Sequence, residues 1–287
     1  MPVWRAPSRH GVGRLPLVSV TAPALRAHGI TALRGTRRVL HGLDLDVPAG
    51  RFTVLLGGNG CGKTTLLHVL AGLLRPQAGT VQVAGQPQSA YARRALARQL
   101  TLLPQDATAP ARMTVRELIQ QGRYPWQRWW QPNSTEDERA IDEAARLTDV
   151  HALLDEPLAE LSGGQRQRSW IAMTLAQATP IVLLDEPTTF LDVAHQISVL
   201  TLLARLSAQG RTIVAVLHDV NQAAWFADHL VLMREGRILA QGTPAQVVTP
   251  ACLRATFDLE AHVARDPASG LLFSVPALPA RSGRATP

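Results

Sequence analysis

Leu55-Leu56-Gly57-Gly58-Asn59-Gly60-Cys61-Gly62-Lys63-Thr64-Thr65 is the stretch whose reading decides the fold. Gly57, Gly62, Lys63 and Thr64 have the spacing G-x-x-x-x-G-K-[ST]. The apolar run before it, residues 52–56 broken only by Thr53, predicts a buried strand of a parallel sheet. After it, residues 65–74 predict a helix through Leu66, Leu67, Val69, Leu70 and Leu73. Strand, glycine loop and helix in that order make a phosphate cradle. Glycines let backbone N–H groups turn inward without a Cβ clash, and a helix N-terminus adds unpaired donors.

Lys63 is the only lysine among 29 basic residues; every other one is arginine. A chain that uses arginine everywhere else keeps here a compact ammonium on a flexible stem. That shape reaches β- and γ-phosphates as a point charge, which a planar guanidinium does less well. Thr64 supplies the hydroxyl expected on Mg²⁺.

The chain of 287 residues is long enough for a large core, and at 46% hydrophobic and 18% charged its middle is globular. The net charge of +7 comes from arginines that precede the first acid, Asp44, among them Arg5, Arg9, Arg14 and Arg26. The remainder is balanced, so no basic face for nucleic acid is expected. Residues 1–23 are expected to be a disordered basic arm without a secretory signal, and residues 276–287 a disordered tail. The two cysteines, Cys61 and Cys252, form no framework and fit a reducing compartment.

Taken in order, strands are predicted over 24–33, 38–47, 80–84 and 100–103, with an arginine-rich helix over 89–100. Helices over 114–121 and 136–147, the second capped by a Thr135–Glu138 box, flank an aromatic stretch from Tyr124 to Pro132. They predict a helical insertion at about 106–164 within an α/β domain spanning 24–275. The core resumes with helices at 165–178, 193–208 and 221–227, strands at 181–184 and 212–217, a hairpin turning at Glu235-Gly236, and short helices at 243–248 and 250–257.

A second anchor is Ile181-Val182-Leu183-Leu184-Asp185-Glu186. Four apolar residues form a strand whose carboxyl end delivers two acids to the sheet crevice. Asp185 is expected to hold Mg²⁺, and Glu186 to take a proton from the attacking water. Adjacent strand residues face opposite ways, so the chain is expected to turn at Asp185. The pairing with Lys63 points to hydrolysis of ATP or GTP.

Leu161-Ser162-Gly163-Gly164-Gln165 resembles the signature peptide of ABC-type ATPases. Gln105, Asp192 and His218 match the Q-loop glutamine, D-loop aspartate and switch histidine of that family in chain order, and the resemblance runs from about residue 25 to 257. It implies a P-loop α/β fold with a mostly parallel sheet, an N-terminal antiparallel β subdomain and an inserted α-helical subdomain. It also implies ATP and Mg²⁺, the metal being held by Thr64, Asp185 and Gln105. A Ser162 loop that is a second anion cradle implies a homodimer paired head to tail, each signature loop closing on the partner's nucleotide. For His218 the resemblance implies orientation and charge stabilisation beside Glu186. Asp192 either joins the paired sites or caps the helix beginning at Val193. The family's adenine-stacking aromatic is missing, and Arg34 is the residue available for stacking.

Met113-Thr114-Val115-Arg116-Glu117-Leu118, Gly122-Arg123-Tyr124-Pro125-Trp126 and His218-Asp219-Val220-Asn221-Gln222 resemble the ATPases of iron-siderophore, haem and vitamin B12 importers, above all the ferric hydroxamate or other ferric-siderophore subgroup. That implies a peripheral subunit on the cytoplasmic face of the plasma (inner) membrane, a separate integral membrane permease and, indirectly, a substrate-binding protein. Haem or cobalamin import, or a soluble ABC protein, are the other readings. Tyr124, Trp126, Trp129 and Trp130 either dock the permease or pack within the helical lobe.

Overall fold

The computed structural model describes residues 22–110, 112–127 and 134–277. The arm up to residue 21, Trp129, Trp130 and Pro132, and the tail from 278 onward lie outside the described residues.

The chain opens with an antiparallel hairpin of β1 (Leu25–Arg34) and β2 (Arg37–Val47), turning at Gly35-Thr36. Leu43, Leu45 and Val47 are buried while their neighbours face out, the alternation of a half-covered strand. β3 (Phe52–Gly57) is buried at every position, as a strand covered on both faces must be. α1 (Lys63–Leu70) begins two residues earlier than predicted and ends earlier, because Gly72 follows it in the left-handed region at φ +75°. β4 (Ala78–Val83) and β5 (Gln86–Pro87) complete a four-stranded antiparallel sheet in the order β2-β1-β4-β5.

The helix predicted over 89–100 is reduced to a 3₁₀ turn at Gln88–Ala90 and one turn, α2 (Arg93–Leu96). Tertiary bonds displace the rest. Arg94 and Arg98 both donate to Pro125 O at 2.8 Å, and Gln177 Nε2 donates to Ala97 O at 2.5 Å and Leu100 O at 3.2 Å. β6 (Leu100–Leu103) follows as predicted.

In the insertion, α3 (Val115–Gln121) is capped by a reciprocal Thr114–Glu117 box. α4 (Thr135–Leu147) is capped by Ser134 and Asp137, one residue earlier than the predicted Thr135–Glu138 box. Asp137 is drawn into that role because its other oxygen pairs with buried Arg123 at 2.7 Å.

α5 (Gly163–Ala176), β7 (Ile181–Asp185), α6 (Val193–Ala208), β8 (Thr212–Val216), α7 (Val220–Phe226), β9 (His229–Arg234) and β10 (Arg237–Gly242) build the rest of the core. α8 (Pro244–Val247) and α9 (Pro250–Phe257) follow. A last hairpin, β11 (Ala261–Arg265) with β12 (Leu272–Pro276), was not foreseen from the sequence. Ala277 N donates to Glu260 O, so residues 276 and 277 of the expected tail belong to this hairpin.

The central sheet has the order β10-β9-β3-β8-β7-β6, parallel except for β10. Its period-two alternation feeds two cores. Val54, Leu56, Val182 and Leu184 pack with residues of α3, α4, α5 and α6, whereas Leu55, Leu183, Val214 and Val216 pack with α1 and the antiparallel sheet. The fold therefore matches the architecture read from the sequence. It also places β8 between β3 and β7, so the segments leaving these three strands at their carboxyl ends converge on one crevice.

Candidate functional site

The glycine loop leaves β3 and enters α1. At Gly57 an added Cβ would stand 2.2 Å from Met233 O of neighbouring β9, so only glycine fits. Gly62 caps α1 at φ +108°, a backbone state side chains rarely adopt. These constraints turn the chain tightly enough for Lys63 to begin the helix. Its Nζ, on a residue only 6% exposed, donates to Gly57 O at 2.8 Å and Gly58 O at 3.0 Å and lies 3.9 Å from Cys61 Sγ. Asn59 and Gly60 form the exposed tip, while Cys61 and Thr65 are buried and Thr64 half-buried.

Asp185, the last residue of β7, is 1% exposed, and neither carboxylate oxygen has a hydrogen-bond partner of good geometry. Burial pushes its carboxyl above the usual range, and the nearby Thr64 hydroxyl, His68 and Lys63 offset this only in part. An unpaired buried carboxylate costs several kcal/mol, about 2–7 for a mere polar group and more for a charge. A divalent cation at this position removes that cost. Among the described residues no group of three or more His, Cys, Asp or Glu is arranged to hold a metal. A single carboxylate beside the Thr64 hydroxyl instead suits Mg²⁺, which takes one or two protein ligands and completes its shell with phosphate and water.

The chain turns at Glu186, not at Asp185 as expected: Glu186 has φ +53°. This left-handed residue undoes the strand alternation and swings its carboxylate into the crevice. Oε1 is 2.6 Å from Nε2 of His218, which follows β8. Oε2 accepts from Gln105 Nε2 at 3.0 Å, beyond the end of β6, and from Thr189 Oγ1 at 3.3 Å. Three segments, those carrying Gln105, His218 and Glu186 with its own Thr189, thus meet on one carboxylate. Thr189 was missed in the sequence; its position three residues past Glu186, across a turn, was the available signal.

The Ser162 loop is exposed at Ser162 and Gly163 and anchored by buried Leu161. Ser162 Oγ accepts from Gln165 N at 3.2 Å, and Gln165 Oε1 accepts from Ser162 N at 2.9 Å, a reciprocal box that opens α5. Among the described residues no hydrogen bond or ion pair joins residues 161–165 to the loop at 57–65. Asp192 caps α6, accepting from His195 N at 2.8 Å. Arg34 ends β1 opposite Arg37, exposed, and its side chain makes no hydrogen bond or ion pair among the described residues.

Of the aromatic residues in the insertion, Trp126 is tied to its neighbours while it stays 37% exposed. Its Nε1 donates to Gln177 O at 2.7 Å, and Arg98 and Arg123 stack on its ring at 4.9 and 5.6 Å. Tyr124 is 66% exposed.

Crevice, glycine cradle and paired acids have the order seen in a known family, and comparison with known proteins agrees. The ABC transporter family pattern matches residues 40–189. The chain belongs to the ABC transporter ATP-binding family. It is 46% identical over 245 residues to the achromobactin transport ATP-binding protein of Dickeya dadantii (strain 3937), covering 85% of this chain and 91% of that one. It is 45% identical over 253 residues to the ferric enterobactin transport ATP-binding protein of Escherichia coli (strain K12), covering 88% and 93%. Among solved structures, a metal-chelate type ABC transporter in an inward-facing conformation superposes with a TM-score of 0.77 at 29% identity, over 89% of this chain and 97% of that one. This ABC subunit is an ATPase of a family that binds ATP with Mg²⁺. Among the described residues no helix is long and apolar enough to cross a membrane.

Proposed function

We propose that this ABC subunit hydrolyses ATP as a pair with a second copy, and so drives import of iron(III)-siderophore complexes through a separate membrane permease. The observation that carries the chemistry is Glu186, whose two oxygens are held by His218, Gln105 and Thr189 next to the orphaned Asp185. The siderophore assignment is supported by similarity, over nearly the full length of each chain, to transport subunits for achromobactin and ferric enterobactin.

In this reading residues 57–65 wrap the phosphates with backbone N–H groups, and Lys63 leaves its carbonyl partners for the β/γ-phosphates. Thr64, Asp185 and Gln105 hold Mg²⁺, which when bound neutralises the charge of the phosphates. Glu186 accepts the proton of the attacking water, and His218, whose Nε2 rests on that carboxylate before nucleotide binds, turns to face the γ-phosphate. Ser162, Gly163 and Gly164 reach the nucleotide of the other copy, since one cradle already serves the phosphates within each chain. Asp192 keeps the loop beside that contact in shape by capping α6, and Arg34 is left to stack on the base. Residues 24–275 act as one ATPase domain, whose helical insertion transmits closure to the permease on the cytoplasmic side of the membrane. A substrate-binding protein delivers the cargo.

The test is uptake into membranes carrying the reconstituted transporter, with a panel of ferric siderophores, haem and cobalamin. ATP-dependent uptake of a ferric siderophore is expected. Uptake restricted to haem or cobalamin would reassign the cargo and leave the ATPase reading intact.

A further inference from the structure

Beyond the contact between His218 and Glu186, the segments carrying these two residues are tied together a second time. Gln222, on the first turn of α7, is buried and donates from Nε2 to Gln196 Oε1 on α6 at 2.7 Å. Gln196 Nε2 in turn donates to Leu191 O at 3.1 Å and Thr188 O at 3.4 Å, the carbonyls of the turn that follows Glu186. Besides this relay the turn is held by Gln167 Nε2, which donates to Pro187 O at 3.1 Å, and by the Thr189 hydroxyl on Glu186. Its own backbone bonds are long, Thr189 N to Glu186 O at 3.3 Å and Leu191 N to Thr188 O at 3.4 Å, and both Glu186 and Phe190 occupy the left-handed region.

Gln222 is placed as firmly. Asp219 Oδ1 accepts from Asn221 N at 2.7 Å and Gln222 N at 2.9 Å, which locks the first turn of α7 directly after His218. The opposite side of α7 is clamped by the terminal hairpin. Asn221 Oδ1 accepts from Ser274 N at 2.7 Å, and Trp225 Nε1 donates to Leu272 O at 2.8 Å.

We infer that Gln196 and Gln222 are positioning residues, an amide relay that sets the Glu186 turn against His218 from behind the site. Neither glutamine side chain hydrogen-bonds to Glu186 or His218 itself. The relay holds the spacing of the two catalytic groups when His218 leaves Glu186 to face a phosphate, which the direct contact cannot do. This inference rests on the ATPase roles proposed for Glu186 and His218.

Two measurements separate the relay from those roles. In Gln222→Met, which keeps the volume and removes the donor, kcat for ATP should fall roughly tenfold with KM within about twofold, the scale of such couplings. In a His218→Ala background the same change should cost nothing further, because the relay acts through His218. Gln196→Met tests the same linkage from the other end if Gln222→Met does not fold. Losses that multiply in the double variant would mean general structural damage and overturn the inference, as would an unchanged kcat. The second measurement needs no catalysis: hydrogen exchange at the Thr189 and Leu191 amides should quicken in Gln222→Met while the central α6 amides keep their protection. If wild type failed to hydrolyse ATP, the proposed function would fall and the exchange data would still decide the relay, unchanged exchange refuting it.

Discussion

His218 Nε2 stands 2.6 Å from Glu186 Oε1, a contact between segments leaving adjacent parallel strands, β8 and β7. In the proposed mechanism it joins the ring that orients the reacting groups to the carboxylate that takes the proton from water. His218→Ala should lower kcat by about 10²–10³-fold while nucleotide affinity changes little, since the ring contributes in the transition state more than in binding. Steady-state turnover set against equilibrium binding of ATP checks this; equal losses in both would place His218 in binding.

Gly57→Ala should abolish nucleotide binding. The new methyl would stand 2.2 Å from Met233 O, backbone of a central strand that cannot give way, and φ there is +156°. The loop must shift, at a cost of about 1–3 kcal/mol for overpacking of this kind. Fluorescent-nucleotide titration and thermal unfolding together measure both effects, and wild-type affinity in the variant would contradict the cradle geometry.

Asp185 offers a proton-linked signature. Burial holds its carboxyl above the ordinary range, so just above that range the folded protein retains a proton that a bound cation would expel. Binding of ATP with Mg²⁺ in weakly acidic buffer should therefore release protons and tighten as pH rises. Removal of Mg²⁺, or Asp185→Asn, should erase the effect. Calorimetry in buffers of different ionisation enthalpy reads the proton count directly.

The buried Arg123–Asp137 pair anchors the helical insertion to the core: Arg123 also donates to Ala176 O at the end of α5. Arg123→Met strands a buried carboxylate and should destabilise by about 3–5 kcal/mol. Burial pushes the Asp137 carboxyl up, yet Arg123 and Ser134 outweigh it and leave it below its ordinary value. A depressed folded pKa gives stability that is present above the unfolded value of about 3.9 and lost as pH falls through the folded one. Asp137→Asn should thus be less stable at neutral pH and show a flatter acid limb in denaturant unfolding.

These predictions rest on features of unequal visibility in the sequence. Asp185, Glu186 and His218 could be placed because each follows an apolar run, and Lys63 because it closes the glycine loop after another; a parallel sheet sends the ends of such runs to one edge. The sequence places the turn one residue early, because the left-handed glutamate is held by Gln105 and His218 from distant segments, with Thr189 from its own turn, rather than by local preference. The same cause explains the short α2, unwound by Gln177 and Pro125 from outside the segment. The Ser134 cap was missed by one residue because Arg123 selects Asp137 over Glu138. The β11–β12 hairpin carries weak alternation of its own and is stable against α7 through Asn221 and Trp225, contacts no local pattern announces.

The central claim is that two copies close around nucleotide and that Glu186 ends the closed state by activating water. Sedimentation velocity of Glu186→Gln with ATP and Mg²⁺ tests it most directly. The account predicts a stable dimer that holds uncleaved ATP, reverts to monomer when ADP replaces ATP, and fails to form when Ser162→Arg is added. A variant that stays monomeric with ATP bound, or that turns ATP over at the wild-type rate, would contradict it.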